Sequence, residues 1–135
     1  MSQSEPGEFD FLASDAAMVG ATEIPPVRRV ELVDGVSALA WGSGPATVAL
    51  AHGAALNAHT WDSTLLAWGG GGFLALDLPG HGDSSWREDG DYAPGRIAPD
   101  VADALAAATS DGLLADGFAL VGQSLGGLVG LELLH

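Results

Sequence analysis

Three short apolar runs, Ala46–Ala51, Phe73–Leu76 and residues 117–121, each end in a glycine-bearing loop, and a stretch with helical spacing follows each one. Runs of that length suit strands buried on both faces of a sheet. Strands alternating with helices imply a parallel sheet covered on both sides and joined by right-handed crossovers. The loops at the carboxyl ends of such strands converge on one rim, and ligands bind there. Ahead of these units, Val27–Val33 and Val36–Trp41 flank Asp34-Gly35, a two-residue hairpin signal.

The spacing predicts one helix capped by Thr60, with Trp61, Leu65 and Trp68 on a shared face, ended by the glycines at 69–72. A second is predicted with Pro99 in its first turn, Val101, Leu105 and Ala108 along one side, and Asp111-Gly112 as its stop. A third, apolar helix begins at Leu125. Residues 1–26 are acidic, rich in small side chains and closed by Pro25-Pro26. They read as a flexible lead-in with one helical turn around 16–19, leaving 27–135 as the domain.

Charge narrows the partners. The chain carries 18 acidic residues against 4 basic ones, a formal net charge of −14. Nucleic acid and anionic lipid need Lys or Arg to replace counterions, so neither is an expected partner; the surplus reads as a solubilising surface. With no cysteine, disulfides, thiol catalysis and Cys-ligated metal are excluded. The four histidines are scattered without paired ligand spacing, so neither a metal nor a cofactor is expected. Residues 1–20 lack the basic-then-apolar pattern of a signal peptide, and the most apolar run, 118–134, is too short and interrupted to span a membrane. A cytoplasmic protein is the expectation.

The segment richest in chemistry is Gly122-Gln123-Ser124-Leu125-Gly126, between a predicted strand and a predicted helix. A sharp turn there lifts the Ser124 hydroxyl above the sheet in a backbone conformation strained for any residue with a side chain. Gly122 and Gly126 remove side chains that would crowd the bend. The helix N-terminus adds partial positive charge and free N–H groups, so the Leu125 amide is a candidate oxyanion donor. The bland alternative is an ordinary strand-to-helix turn with serine as a cap. A second segment, His52-Gly53-Ala54-Ala55, follows a buried strand, and the Ala54 amide is the candidate second donor. His52 itself reads as a loop-organising residue rather than a general base. In the third segment, residues 77–84, Asp77 and His81 read as loop architecture.

In this order and spacing the three segments resemble the α/β-hydrolase superfamily, over roughly residues 27–135. The resemblance implies a three-layer α/β/α fold: an antiparallel hairpin, then parallel strands with crossover helices. It also implies an acyl-enzyme mechanism in which Ser124 attacks and the amides of Ala54 and Leu125 hold the oxyanion. Serine at 124, where dehalogenase and epoxide-hydrolase relatives carry Asp, points to ester, thioester, lactone, C–C hydrolase or perhydrolase chemistry on a small molecule. A non-catalytic receptor or pseudoenzyme on the same fold is the alternative.

One departure stands out. Relatives supply the acid and histidine of the triad after the elbow, whereas this chain ends eleven residues past Ser124. His135 would lie about 16 Å along the elbow helix, beyond hydrogen-bond reach. The expectation is therefore an incomplete domain, inactive or weakly active alone, with its C-terminal strands missing and the strand ending at Val121 left as an apolar edge. Substrate and oligomeric state are left open, because specificity in this superfamily comes largely from a later cap.

Overall fold

The computed structural model describes residues 5–33 and 35–135. Five strands form one mixed sheet: β1 (Val27–Val33), β2 (Val36–Trp41), β3 (Ala46–Ala51), β4 (Phe73–Leu76) and β5 (Leu114–Gly122), in the spatial order β1-β2-β4-β3-β5. β1 and β2 pair antiparallel and β2 meets β4 antiparallel, while β3 pairs parallel with both β4 and β5. Gly35 in the β1–β2 turn has φ +80°, open to glycine without penalty; Asp34 lies outside the described residues.

The two-residue period of the strands divides the core. Ala38 and Ala40 of β2, Leu74 and Leu76 of β4, and Ala49 and Ala51 of β3 face one layer, with Ile97, Val101, Ala104 and Leu105 of helix α3 (Pro94–Ser110) and Val129 of α4 (Leu125–Glu132). The alternate residues Leu39, Trp41, Leu50 and Ala75 face the other, with Leu65 and Leu66 of α2 (Asp62–Trp68) and Leu12 and Ala16 of α1 (Leu12–Val19). Small alanines on β2 and β3 let the α3 layer approach closely.

Several expected boundaries moved, each for a local reason. The stretch expected as a mobile lead-in contains α1, two turns rather than one, and it is packed: Leu12 and Ala16 are buried, and Gly20 at φ +72° closes the helix with bonds back to Ala16 and Ala17. Thr60 caps nothing. A single 3₁₀ turn, Ala58–Trp61, precedes α2, and Asn57 caps that turn by accepting from the His59 amide. The buried face of α2 is Asp62, Leu65 and Leu66, while Trp68 is exposed. Helix α3 begins five residues before Pro99, with Pro94 at its first position and buried Ile97 and Ala98 anchoring the extra turn. Strand β5 starts at Leu114 rather than 117, because an irregularity in its pairing with β3 lets Gly117, at φ +74°, absorb a bend that reads in sequence as a break.

β5 forms one edge of the sheet, and Val121, Leu128, Leu131 and Leu134 beside it are exposed. A groove of about 750 Å³ runs along this edge between α3, β5 and α4, lined by Leu105, Phe118, Leu120 and Leu131. Among the described residues, no helix is long and apolar enough to cross a membrane.

Candidate active site

The parallel strands β3, β4 and β5 deliver their carboxyl ends to one rim, so His52, Asp77 and Gln123 each follow directly on a strand there. Ser124 stands between β5 and α4 with φ +51° and ψ −114°, a backbone region that L-residues avoid. Its side chain makes no capping bond to α4, and the residue is exposed. That excludes the reading of Ser124 as an ordinary helix cap.

The bend survives because two glycines stand where nothing larger fits. A methyl group on Gly122 would run into the Gly126 carbonyl, and one on Gly126 would run into the carbonyls of Ala51 and His52. The elbow is sewn to the end of β3 by two bonds, from Gln123 N to the Ala51 carbonyl and from Gly126 N to the His52 carbonyl, both 3.0 Å. The loop after β3 consequently borders the serine: a methyl group at Gly53 would sit 3.5 Å from Ser124 Cβ. Among the described residues, the amides of Ala54 and Leu125 donate no hydrogen bond within the protein. Both are therefore open to an external acceptor, Leu125 as part of the unpaired first turn of α4.

The loop following β4 holds the loop following β3. Asp77, fully buried, accepts at Oδ1 from the Ala58 amide (2.7 Å) and at Oδ2 from Arg29 (2.5 Å) and the Asp83 amide (3.0 Å). A side chain on Gly82, at φ +50°, would collide with that carboxylate. Buried His52 contacts the Gly53 carbonyl through Nδ1 (2.8 Å) and accepts from the Leu78 amide at Nε2 (3.0 Å). A carbonyl cannot donate and an amide N–H cannot accept, so His52 is the neutral Nδ1–H tautomer. Burial pushes its pKa down, against the pull of the Gly53 carbonyl. His81 repeats the arrangement, with Nδ1 on the Pro79 carbonyl (3.0 Å) and Nε2 accepting from the Ala55 amide (3.1 Å).

Residues 48–135, more than half of the chain, match the Alpha/beta hydrolase family. The chain belongs to that family. Over 128 residues this chain is 42% identical to the esterase Rv0045c of Mycobacterium tuberculosis, a match covering 93% of this chain and 40% of that protein. Two solved structures of the M. tuberculosis esterase superpose with a TM-score of 0.83, one at 40% identity over 98% of this chain and 45% of that one, the other at 39% over 96% and 43%. The chain thus spans less than half the length of these relatives.

Among the described residues, no histidine near the rim has a free ring nitrogen. His52 and His81 spend both on the loops, and His59 spends Nδ1 on Asp62 (2.7 Å) and Nε2 on Glu8 (3.0 Å). Hydrogen bonding to Asp62, and then to Glu8, outweighs burial and raises His59 to about 9, so it is a cation at neutral pH. Glu8 also pairs with Arg29; burial opposes its charge, but Arg29 and His59 prevail and hold its carboxyl below the ordinary value. This cluster ties the segment before α1 to β1 and to the 3₁₀ turn. Sequence reasoning missed it, since Glu8 and His59 are 51 residues apart and no local pattern joins them. Among the described residues no group of side chains is arranged to hold a metal ion.

Proposed function

We infer that Ser124 is the nucleophile of a serine hydrolase acting on an ester, thioester or related carbonyl group of a small molecule. Its Oγ would attack the carbonyl carbon, the carbonyl oxygen would take up the negative charge, and the leaving group would depart to give an acyl-enzyme that water then cleaves. The amides of Ala54 and Leu125 are the donors for that oxygen, being unspent and on the two loops that meet at the serine. The observation that carries this reading is the conformation of Ser124: an exposed hydroxyl on a strained bend, with no capping bond to account for it. The similarity to an esterase supports the substrate class. A pocket that only bound ligands would gain nothing from strain at this residue.

The base that takes the Oγ proton is not among His52, His59 and His81, whose nitrogens are engaged. In this reading base and acid come from residues outside this sequence, and the 135-residue chain alone retains at most the residual rate of an oxyanion site without a triad. The test is labelling by a fluorophosphonate probe of the protein expressed from its complete reading frame. Labelling abolished by Ser124→Ala is the expected result. Absent labelling, or labelling that persists in Ser124→Ala, overturns the assignment.

A further inference from the structure

Two histidines act on adjacent peptide groups of one loop. His52 Nδ1–H donates to the Gly53 carbonyl (2.8 Å), and Gly53 C=O shares a peptide plane with Ala54 N–H. His81 Nε2 accepts from Ala55 N–H (3.1 Å), and Ala55 N–H shares a plane with the Ala54 carbonyl. The two rings lie 5.0 Å apart, tilted by 56°. Each is locked from its other side by a backbone group of the β4 loop, His52 by the Leu78 amide and His81 by the Pro79 carbonyl. Ala55 has φ +64°, and with Ser124 it is one of two non-glycine residues at positive φ among the described residues. Such a conformation persists only where the surroundings over-determine it.

We propose that His52 and His81 form a clamp that fixes the peptide planes on either side of Ala54, which makes both of them positioning residues for the oxyanion donor. This rests on the reading of Ala54 as that donor. In a planar trans peptide the N–H points opposite to the C=O, so tying the Gly53 carbonyl to His52 turns Ala54 N–H away from the ring and leaves it unspent. The same bond polarises the amide and strengthens it as a donor. His81 keeps the next peptide from rotating out of the positive-φ conformation, a rotation that would carry Ala54 with it. Both residues act through backbone and touch no reacting atom.

The experiment compares wild type, His81→Gln and His81→Asn, each expressed from the complete reading frame. Asparagine keeps a donor for Pro79 but is too short to reach Ala55; glutamine places an oxygen near the position of Nε2. Amide hydrogen exchange at Ala55 is followed by NMR, and fluorophosphonate labelling is separated into probe affinity and maximal inactivation rate. In His81→Asn, exchange at Ala55 should quicken roughly tenfold or more, and the inactivation rate should fall about tenfold with probe affinity unchanged. His81→Gln should restore both. A folded His81→Asn protein with wild-type exchange or wild-type inactivation rate overturns the clamp. If the wild type takes no label, the nucleophile reading has failed, and the clamp stands or falls on the exchange data. Should His81→Asn not fold, Ala55 in the wild type decides, since exchange at the rate of an open loop overturns the proposal.

Discussion

Arg29 and Asp77 lie 48 residues apart in sequence and 2.5 Å apart in space, with the carboxylate fully buried and the guanidinium partly at the surface. The pair locks β1 to the loop after β4, and the same carboxylate holds the amides of Ala58 and Asp83. Asp77→Ala would strip three donors of one acceptor and leave a half-buried guanidinium without its inner partner. A loss of about 1–3 kcal/mol is expected, read from urea unfolding, because the Ala58 and Asp83 amides are left unpaired while Arg29 keeps Glu8 as a partner. A midpoint within error of wild type would show that the loop is held by something else.

The His59 cluster makes stability pH-dependent in a defined window. His59 is raised from 6.5 to about 9 in the folded state, chiefly by its hydrogen bond to Asp62. A group raised on folding contributes fully below its unfolded pKa and loses that contribution as pH climbs through the folded one. The melting temperature should therefore decline between about pH 6.5 and 9 through this group. His59→Gln should flatten that part of the curve, as differential scanning fluorimetry across the range would show. Glu8 acts in the opposite sense: its carboxyl is lowered, so its contribution fades as the solution is acidified.

What was legible in sequence was whatever rests on short-range pattern. The strands Val27–Val33, Val36–Trp41, Ala46–Ala51 and Phe73–Leu76 stand at the predicted residues, the first two set by the hairpin signal between them and the last two by short apolar runs bounded by turn signals. The elbow was legible too, because Gly122 and Gly126 flank the bend at fixed offsets. Of residues 8–19 only the helical turn at 16–19 was. Their acidic, small-residue composition resembles a tail, and their place is set by contacts with distant residues: Leu12 and Ala16 against α2 and the sheet, and Glu8 on Arg29 and His59. The start of α3 was misplaced for a related reason. Pro94 and Pro99 both lie within it, and local rules favour the later proline as a first-turn residue, whereas burial of Ile97 and Ala98 draws the helix back to Pro94.

Adjacent glycines in α4 should respond with opposite sign. A methyl group on Gly126 meets the Ala51 and His52 backbone, which cannot yield without parting the elbow from β3. Gly126→Ala should therefore lose at least about 2 kcal/mol, the upper part of the range for overpacking. On Gly127 the nearest atom is the Gly122 carbonyl oxygen at 3.4 Å, ordinary contact. Gly127→Ala should thus gain up to about 1 kcal/mol, from higher helix propensity and a less flexible unfolded chain. Chemical denaturation of the two variants side by side tests both; equal effects would mean that the elbow and β3 are not in the contact described.

The strain at Ser124 offers the sharpest separation of chemistry from stability. At φ +51° and ψ −114° a serine is disfavoured and a glycine is not. Ser124→Ala removes the hydroxyl but keeps the Cβ, so it should abolish labelling while leaving the unfolding free energy within about 0.5 kcal/mol of wild type. Ser124→Gly removes both, and should abolish labelling while gaining about 1–2 kcal/mol as the strain is relieved, less whatever flexibility glycine adds to the unfolded chain. Urea midpoints of the three proteins give the comparison. If the glycine variant is no more stable than the alanine variant, the backbone at this position is not strained, and the physical reason for placing the nucleophile here is lost.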